Sequence, residues 1–198
     1  MLPRPPLVIV SGAPGSGKTT IVGQLAPALG LPLIAKDDIK EILGDALSTS
    51  SAAESQALGR ATYRLMFHLA EHLLGSGAGF VLESNFSRGL SEDSLRPLVG
   101  RAVGVLVHCY VPPAVALQRY EARFRRGDRH PVHFDDEKIA AARNDGLQAW
   151  TRRFAEPVDL GLPTLVIDTT GHEPVPDMAS IFAFVRAAMD HPGGEPIR

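Results

Sequence analysis

Gly12-Ala-Pro-Gly-Ser-Gly-Lys-Thr19 fits the pattern G-x-x-x-x-G-K-[ST] at every fixed position. An apolar run over 7–11 leads into it, and a helix-like stretch leads out from about Lys18. That is the strand–loop–helix setting the pattern needs. Each part has a physical task. Glycines allow backbone angles and close approaches that a Cβ forbids. Successive N–H groups can then converge on phosphate oxygens, and the following helix adds its partly positive N-terminus. Lys18 is placed to reach β- and γ-phosphates, and the Thr19 hydroxyl to ligate Mg²⁺. Gly12, Ala13, Gly15, Ser16, Gly17, Lys18, Thr19 and Thr20 are therefore expected to hold ATP or another nucleoside triphosphate. The alternative, a glycine-rich turn that matches by chance, has the strand before and the helix after against it.

Outward from this loop, short β-like runs alternate with longer helix-like runs. The pattern predicts an α/β protein with a parallel sheet. Strands are expected at 7–11, 33–35, 80–83, 103–110 and 164–168. Several are unbroken apolar runs, as parallel strands covered on both faces should be. Helices are expected at 18–29, 38–44, 54–74, 91–99, 113–124, 136–155 and 177–189. In the third, Ala57, Leu58, Ala61, Leu65, Leu69 and Leu73 recur at helical spacing. Both ends read as loose: residues 1–6 hold three prolines, and 191–198 is turn-rich. At 198 residues, the chain reads as one domain with its core at about 7–190.

Charge and composition narrow the function. Twenty Lys and Arg against 22 Asp and Glu give −2, which excludes a uniformly basic nucleic-acid coat. Only four of the basic residues are lysines: Lys18, Lys36, Lys40 and Lys138. The single cysteine, Cys109, excludes an internal disulfide and a cysteine zinc cluster. It lies in an apolar run and reads as core. His72, His108 and His172 show no metal-ligand spacing, and Trp150 reads as packing. No stretch approaches the ~18 unbroken apolar residues of a membrane span. A cytoplasmic protein is expected.

Three polar clusters follow predicted strands. Lys36-Asp37-Asp38-Ile39-Lys40 comes directly after the second. A carboxylate at a strand's carboxyl end lines the ligand crevice and is suited to accept the proton of an acceptor hydroxyl. Helix capping by Asp37 or Asp38 is the equal alternative. Glu83-Ser84-Asn85 ends the third strand. Glu83 suits the hydration shell of Mg²⁺, and Ser84 and Asn85 suit an acceptor; the alternative is a polar turn. Five of the eleven residues from Arg119 to Arg129 are arginines, and His130 and His133 follow. Arg119 and Arg123 share a helix face. The segment at about 124–136 reads as a lid whose guanidinium forks pair with phosphate, or else as a solvated cationic helix end.

With these motifs in order, the chain resembles the small P-loop kinases that include polynucleotide 5′-hydroxyl kinases, zeta-toxin-like sugar-nucleotide kinases and chloramphenicol phosphotransferases. The likeness spans about residues 7–170. It implies a three-layer P-loop NTPase fold with a five-stranded parallel sheet in order 2-3-1-4-5, flanked by helices. It implies ATP, Mg²⁺ and γ-phosphoryl transfer to a hydroxyl. It places the general base at Asp37, and lid arginines at Arg119, nearer the adenine, and Arg123, nearer the phosphates. The polynucleotide kinases have Asp where this chain has Glu83, and a basic residue that matches Lys40.

The acceptor pocket is expected between Asp37, the 54–74 helix and the loop after Glu83, with Asp38, Lys40, Ser84 and Asn85 as its contacts. Arg60, Arg64 and His68 form a polar stripe on that helix that reads first as a solvated face. A nucleic-acid kinase would want a continuous basic groove with stacking aromatics. The leading expectation is thus a small-molecule hydroxyl acceptor. A polynucleotide 5′-hydroxyl kinase is the runner-up, and a nucleotide-dependent switch without an acceptor is the third reading.

Overall fold

Leu7, Val8, Ile9 and Val10 are fully buried, so the strand they form must be covered on both faces. It is the central strand. The computed structural model describes residues 4–136, 139–140 and 154–190. The expected helix 136–155, Trp150 and the tail 191–198 fall largely or wholly outside the described residues. In chain order the elements are β1 (Pro6–Gly12), α1 (Lys18–Leu29), β2 (Leu33–Ala35), α2 (Lys36–Ala46), α3 (Ala52–Gly75), β3 (Phe80–Glu83), α4 (Glu92–Val99), β4 (Val103–Tyr110), α5 (Pro113–Arg126), a 3₁₀ turn (Pro131–His133), β5 (Thr164–Asp168) and α6 (Met178–Asp190). All strand pairings are parallel, in the order β2-β3-β1-β4-β5.

The two-residue period of β1 divides the core. Leu7 and Ile9 join Met66, Leu82, Leu95 and Leu106 on the side covered by α3 and α4. Val8 and Val10 join Ile21, Leu25, Ile167 and Ile181 on the side of α1 and α6. Cys109 is in this second cluster, buried, and burial pushes its thiol up to about 12. The N-terminus is less loose than expected, because the Pro5 carbonyl accepts from the Val103 N–H at 2.9 Å and Pro6 is already strand.

Two boundaries bear on function. β2 runs into α2 without a loop, and the N-cap is Ala35, which offers no side-chain cap. Capping by Asp37 or Asp38 is therefore not what the structure has, although both lie in the first turn, where negative charge favours the dipole. α5 ends at Gly127, whose φ of 74° closes the helix and turns the chain back toward α2. Among the described residues, no helix is long and apolar enough to cross a membrane.

Candidate active site

The loop between β1 and α1 lies hard against its neighbours. A Cβ on Gly12 (φ 141°) would overlap the Cys109 carbonyl, and one on Gly15 (φ 86°) would sit 2.5 Å from the Ala116 carbonyl oxygen. Gly17, at φ 78°, is the N-cap of α1, and no side chain caps the helix by a hydrogen bond. Thr169 braces the loop from β5, donating its hydroxyl to the Ser16 carbonyl at 2.8 Å. The buried Ser16 Oγ has no hydrogen-bond partner among the described residues. Lys18 folds back over the loop and donates from Nζ to the Ala13 carbonyl at 2.9 Å. Burial lowers the Lys18 pKa, and Glu83 works against that shift.

Glu83 ends β3 beside Val10, and its carboxylate is 3.9 Å from Lys18 Nζ. Burial raises its pKa, partly offset by Lys18. Asp37 lies across the same cavity, 2.9 Å from Lys36 Nζ and 3.4 Å from Arg129 Nη1. Burial alone would raise Asp37, but Lys36, His133 and Arg129 outweigh it and hold the carboxyl well below the usual range. Lys18, Thr19, Asp37, Glu83, Arg123 and Arg129 thus line one cavity of about 220 Å³. Next to it, Gly17, Thr20, Arg119, Thr169, His172 and Pro174 line a cleft of about 350 Å³.

A family profile described as "AAA domain" matches residues 7–157. The chain belongs to the AAA domain family. It is 31% identical over 133 residues to "Adenylate kinase 1" of Synechocystis sp. (strain ATCC 27184 / PCC 6803 / Kazusa), covering 61% of this chain and 70% of that protein. A crystal structure of a kinase candidate from Chloroflexus aurantiacus j-10-fl is 34% identical, with a TM-score of 0.81, over 93% of this chain and 98% of the other. A gluconokinase from Sinorhizobium meliloti 1021 shares the fold at 20% identity and a TM-score of 0.52, over 95% and 93% of the two chains.

In this AAA domain the loop, Asp37, Glu83 and Arg123 meet as the sequence leads one to expect. Among the described residues, the Arg123 guanidinium has no ion pair. Burial and the nearby Arg129 lower its pKa, partly offset by Asp135 and Asp37, so the cavity wall carries a cation with no direct carboxylate partner. Arg119 is held flat on the neighbouring cleft by donating to the Thr169 and Thr170 carbonyls at 2.8 and 2.9 Å. Asn85 lines the same cavity as Asp37 and Glu83.

Three expected acceptor contacts are not where the sequence put them. Asp38 is exposed on α2 and does not line the cavity. Lys40 is buried and donates to Ser55 Oγ at 2.7 Å, and that hydroxyl bonds the Val132 carbonyl at 2.5 Å. It braces α2 against α3 and the 3₁₀ turn through that hydroxyl. Ser84 is also buried, its hydroxyl 2.8 Å from the Tyr63 hydroxyl. Of the stripe on α3, Arg64 and His68 do line a cleft, while Arg60 does not.

The arginine-rich segment lies on α2. Asp37, Glu41 and Asp45 recur at four-residue steps and so share one helix face. They meet, in turn, Arg129 at 3.4 Å, His133 at 2.8 Å and His130 at 2.9 Å. Burial pushes His133 down to about 4, so near neutrality its Nε2–H donates to the Glu41 carboxylate. Arg129 also bonds Asp135 at 2.8 Å, and the Tyr120 hydroxyl donates to the other Asp135 oxygen. Arg125 and Arg126 instead pair outward with Glu121 and Asp128. Tyr120 on the cavity and the Thr169–Pro174 turn have no place in the sequence reading, and Lys36 and His133, also on the cavity, stand in its polar clusters without a role of their own. The turn had a readable signal, since it follows the carboxyl end of β5.

Proposed function

We propose that this protein is an ATP-dependent phosphotransferase that moves the γ-phosphoryl group to a hydroxyl of a small-molecule acceptor, in the manner of the kinase group it resembles. The observation that carries this is the single cavity shared by a phosphate loop, a strand-end Glu, a carboxylate on the facing helix and two arginines. The residues fit the nucleotide and its cation: the glycines leave a cradle that a Cβ would fill, and Thr19 and Glu83 supply oxygen donors. Mg²⁺, when bound, offsets charge on the β- and γ-phosphates.

The roles follow from the chemistry. The loop N–H groups and Lys18 hold the phosphates, with Lys18 leaving the Ala13 carbonyl as they enter. Thr19 ligates the cation and Glu83 its water shell. Asp37 lies within the cavity and Asp38 does not, so Asp37 is the base. A carboxylate held well below its usual pKa is a weak base, so Asp37 chiefly orients the hydroxyl and takes its proton late. The acceptor oxygen–phosphorus bond forms, the bond from the γ-phosphorus to the bridging oxygen breaks, and ADP leaves. Arg123 and Arg129 stabilise charge on the transferring group. Arg119 and the Thr169–Pro174 turn hold the base of the nucleotide.

Asp37→Asn should retain ATP with Mg²⁺ and lose transfer. Undiminished transfer by this variant would remove Asp37 as base. The acceptor is sought by screening hydroxyl compounds and nucleosides for ATP turnover, with a 5′-hydroxyl oligonucleotide in the panel. The 31% identity to an adenylate kinase makes AMP a second reading of the acceptor, and formation of ADP from ATP and AMP tests it.

A further inference from the structure

Beside the reactive cavity, α3 and the loop and helix after β3 enclose a cleft of about 800 Å³. Asn85 lines both spaces. Lys36, on the reactive cavity, holds its Nζ 5.9 Å from the centre of the Tyr63 ring, which lines the cleft. The two spaces therefore meet at Lys36, Tyr63 and Asn85.

The cleft has an apolar wall and a cation. Tyr63 and Phe67 stack at 6.4 Å and 21°, giving one aromatic surface. Leu90 stands at its rim 67% exposed, an apolar side chain left in water. Arg64 is exposed, lines the cleft, and makes no hydrogen bond or ion pair with a described residue. His68 lies one turn further along α3, and Glu71 is the acidic residue on the wall. Seven residues of helix separate Arg64 from Glu71, a rise of about 10 Å. That is close to a Debye length at ordinary salt, so Glu71, which forms no ion pair with Arg64, offsets its charge only in part.

On the phosphotransferase reading above, we infer that this cleft is the acceptor site and that it takes an organic anion: a hydroxyl-bearing ring compound with a carboxylate or phosphate. Arg64 pairs with the anionic group, His68 lies alongside it, and the ring lies on Tyr63, Phe67 and Leu90. A guanidinium fork matches carboxylate and phosphate geometry with two parallel bonds. The aromatic wall favours a flat body over a flexible polyol.

The test uses the full chain saturated with Mg²⁺ and an ATP analogue carrying a β,γ-imido bridge, so that the phosphate loop is filled. Retention of the analogue is measured first and separately. Phenyl phosphate and phenol, and benzoate and benzyl alcohol, are then titrated and followed by NMR of the Arg64 guanidinium and the Tyr63 and Phe67 rings. Each anion should bind at least tenfold more tightly than its neutral twin and shift those signals. Arg64→Gln should remove that preference while leaving the melting temperature unchanged, since Arg64 is exposed. Equal binding of anion and twin overturns the inference, as does a preference that survives Arg64→Gln. Failure to retain the analogue would instead count against the phosphotransferase reading, and an Arg64-dependent preference for the anions would still identify the cleft.

Discussion

Gly44→Ala tests the seating of the arginine-rich segment without altering a chemical group. Gly44 lies inside α2, where alanine is worth about 1 kcal/mol more than glycine by helix propensity. A Cβ there would lie 2.8 Å from Val132 Cβ and closer still to one of its methyls. Ordinary carbon contacts are about 3.5–4.0 Å, so Val132 would have to retreat by roughly 1 Å. Little lets it do so: Val132 is buried, stiff at χ1, and bonded through its carbonyl to Ser55. Overpacking of this kind costs about 1–3 kcal/mol. Gly23 in α1 and Gly59 in α3 would have nothing within 4 Å of an added Cβ and serve as controls. Gly23→Ala and Gly59→Ala should raise the melting temperature. Gly44→Ala should fall about 1–3 kcal/mol below them, or roughly 2–4 °C per kcal/mol at this size. It should also speed tryptic cleavage after Arg125 and Arg126, whose side chains are 69% and 60% exposed. A Gly44→Ala protein that gains stability like the controls and resists trypsin like the parent would refute the seating of Val132 against α2.

Two further predictions concern buried charge. Arg129→Gln takes one cation from the buried Asp135 while Tyr120 still donates to it, so stability should drop by about 2–3 kcal/mol, and an unchanged urea midpoint would contradict this. His108 is fully buried in β4, and burial pushes its pKa down to about 4. Its folded pKa lies below the unfolded value of about 6.5, so its contribution is whole above pH ~6.5 and is lost as pH falls toward 4. His133, also at about 4, acts over the same window. Unfolding free energies from urea titrations should fall between pH 7 and 5 by up to about 1.4 kcal/mol per pH unit for each histidine, and His108→Leu should flatten that slope; an equal slope in the variant would place the titration elsewhere.

The sheet was legible because its signals are local. Unbroken apolar runs and the alternation of element types located all five strands, four of them to the residue. The phosphate loop was legible because a fixed spacing of glycines, lysine and threonine is itself the chemistry. Asp37 and Glu83 were legible by rule, since carboxyl ends of parallel strands line the crevice. Of the acceptor contacts, only Asn85 was. Lys40 and Ser84 are polar residues in the right stretch whose side chains turn inward, to Ser55 and Tyr63, and nothing local separates a buried brace from a ligand contact.

What the sequence by itself determined is the loop, the order of elements around it and the strand-end carboxylates, because each depends on neighbours within a few residues. Only the tertiary structure decided that Asp37, Glu41 and Asp45 would meet Arg129, His133 and His130, partners 92, 92 and 85 residues away. Only it decided, too, that Arg64 would face a cleft while Arg60 would not. The helical period says which residues share a face; what that face meets depends on how the chain closes over it.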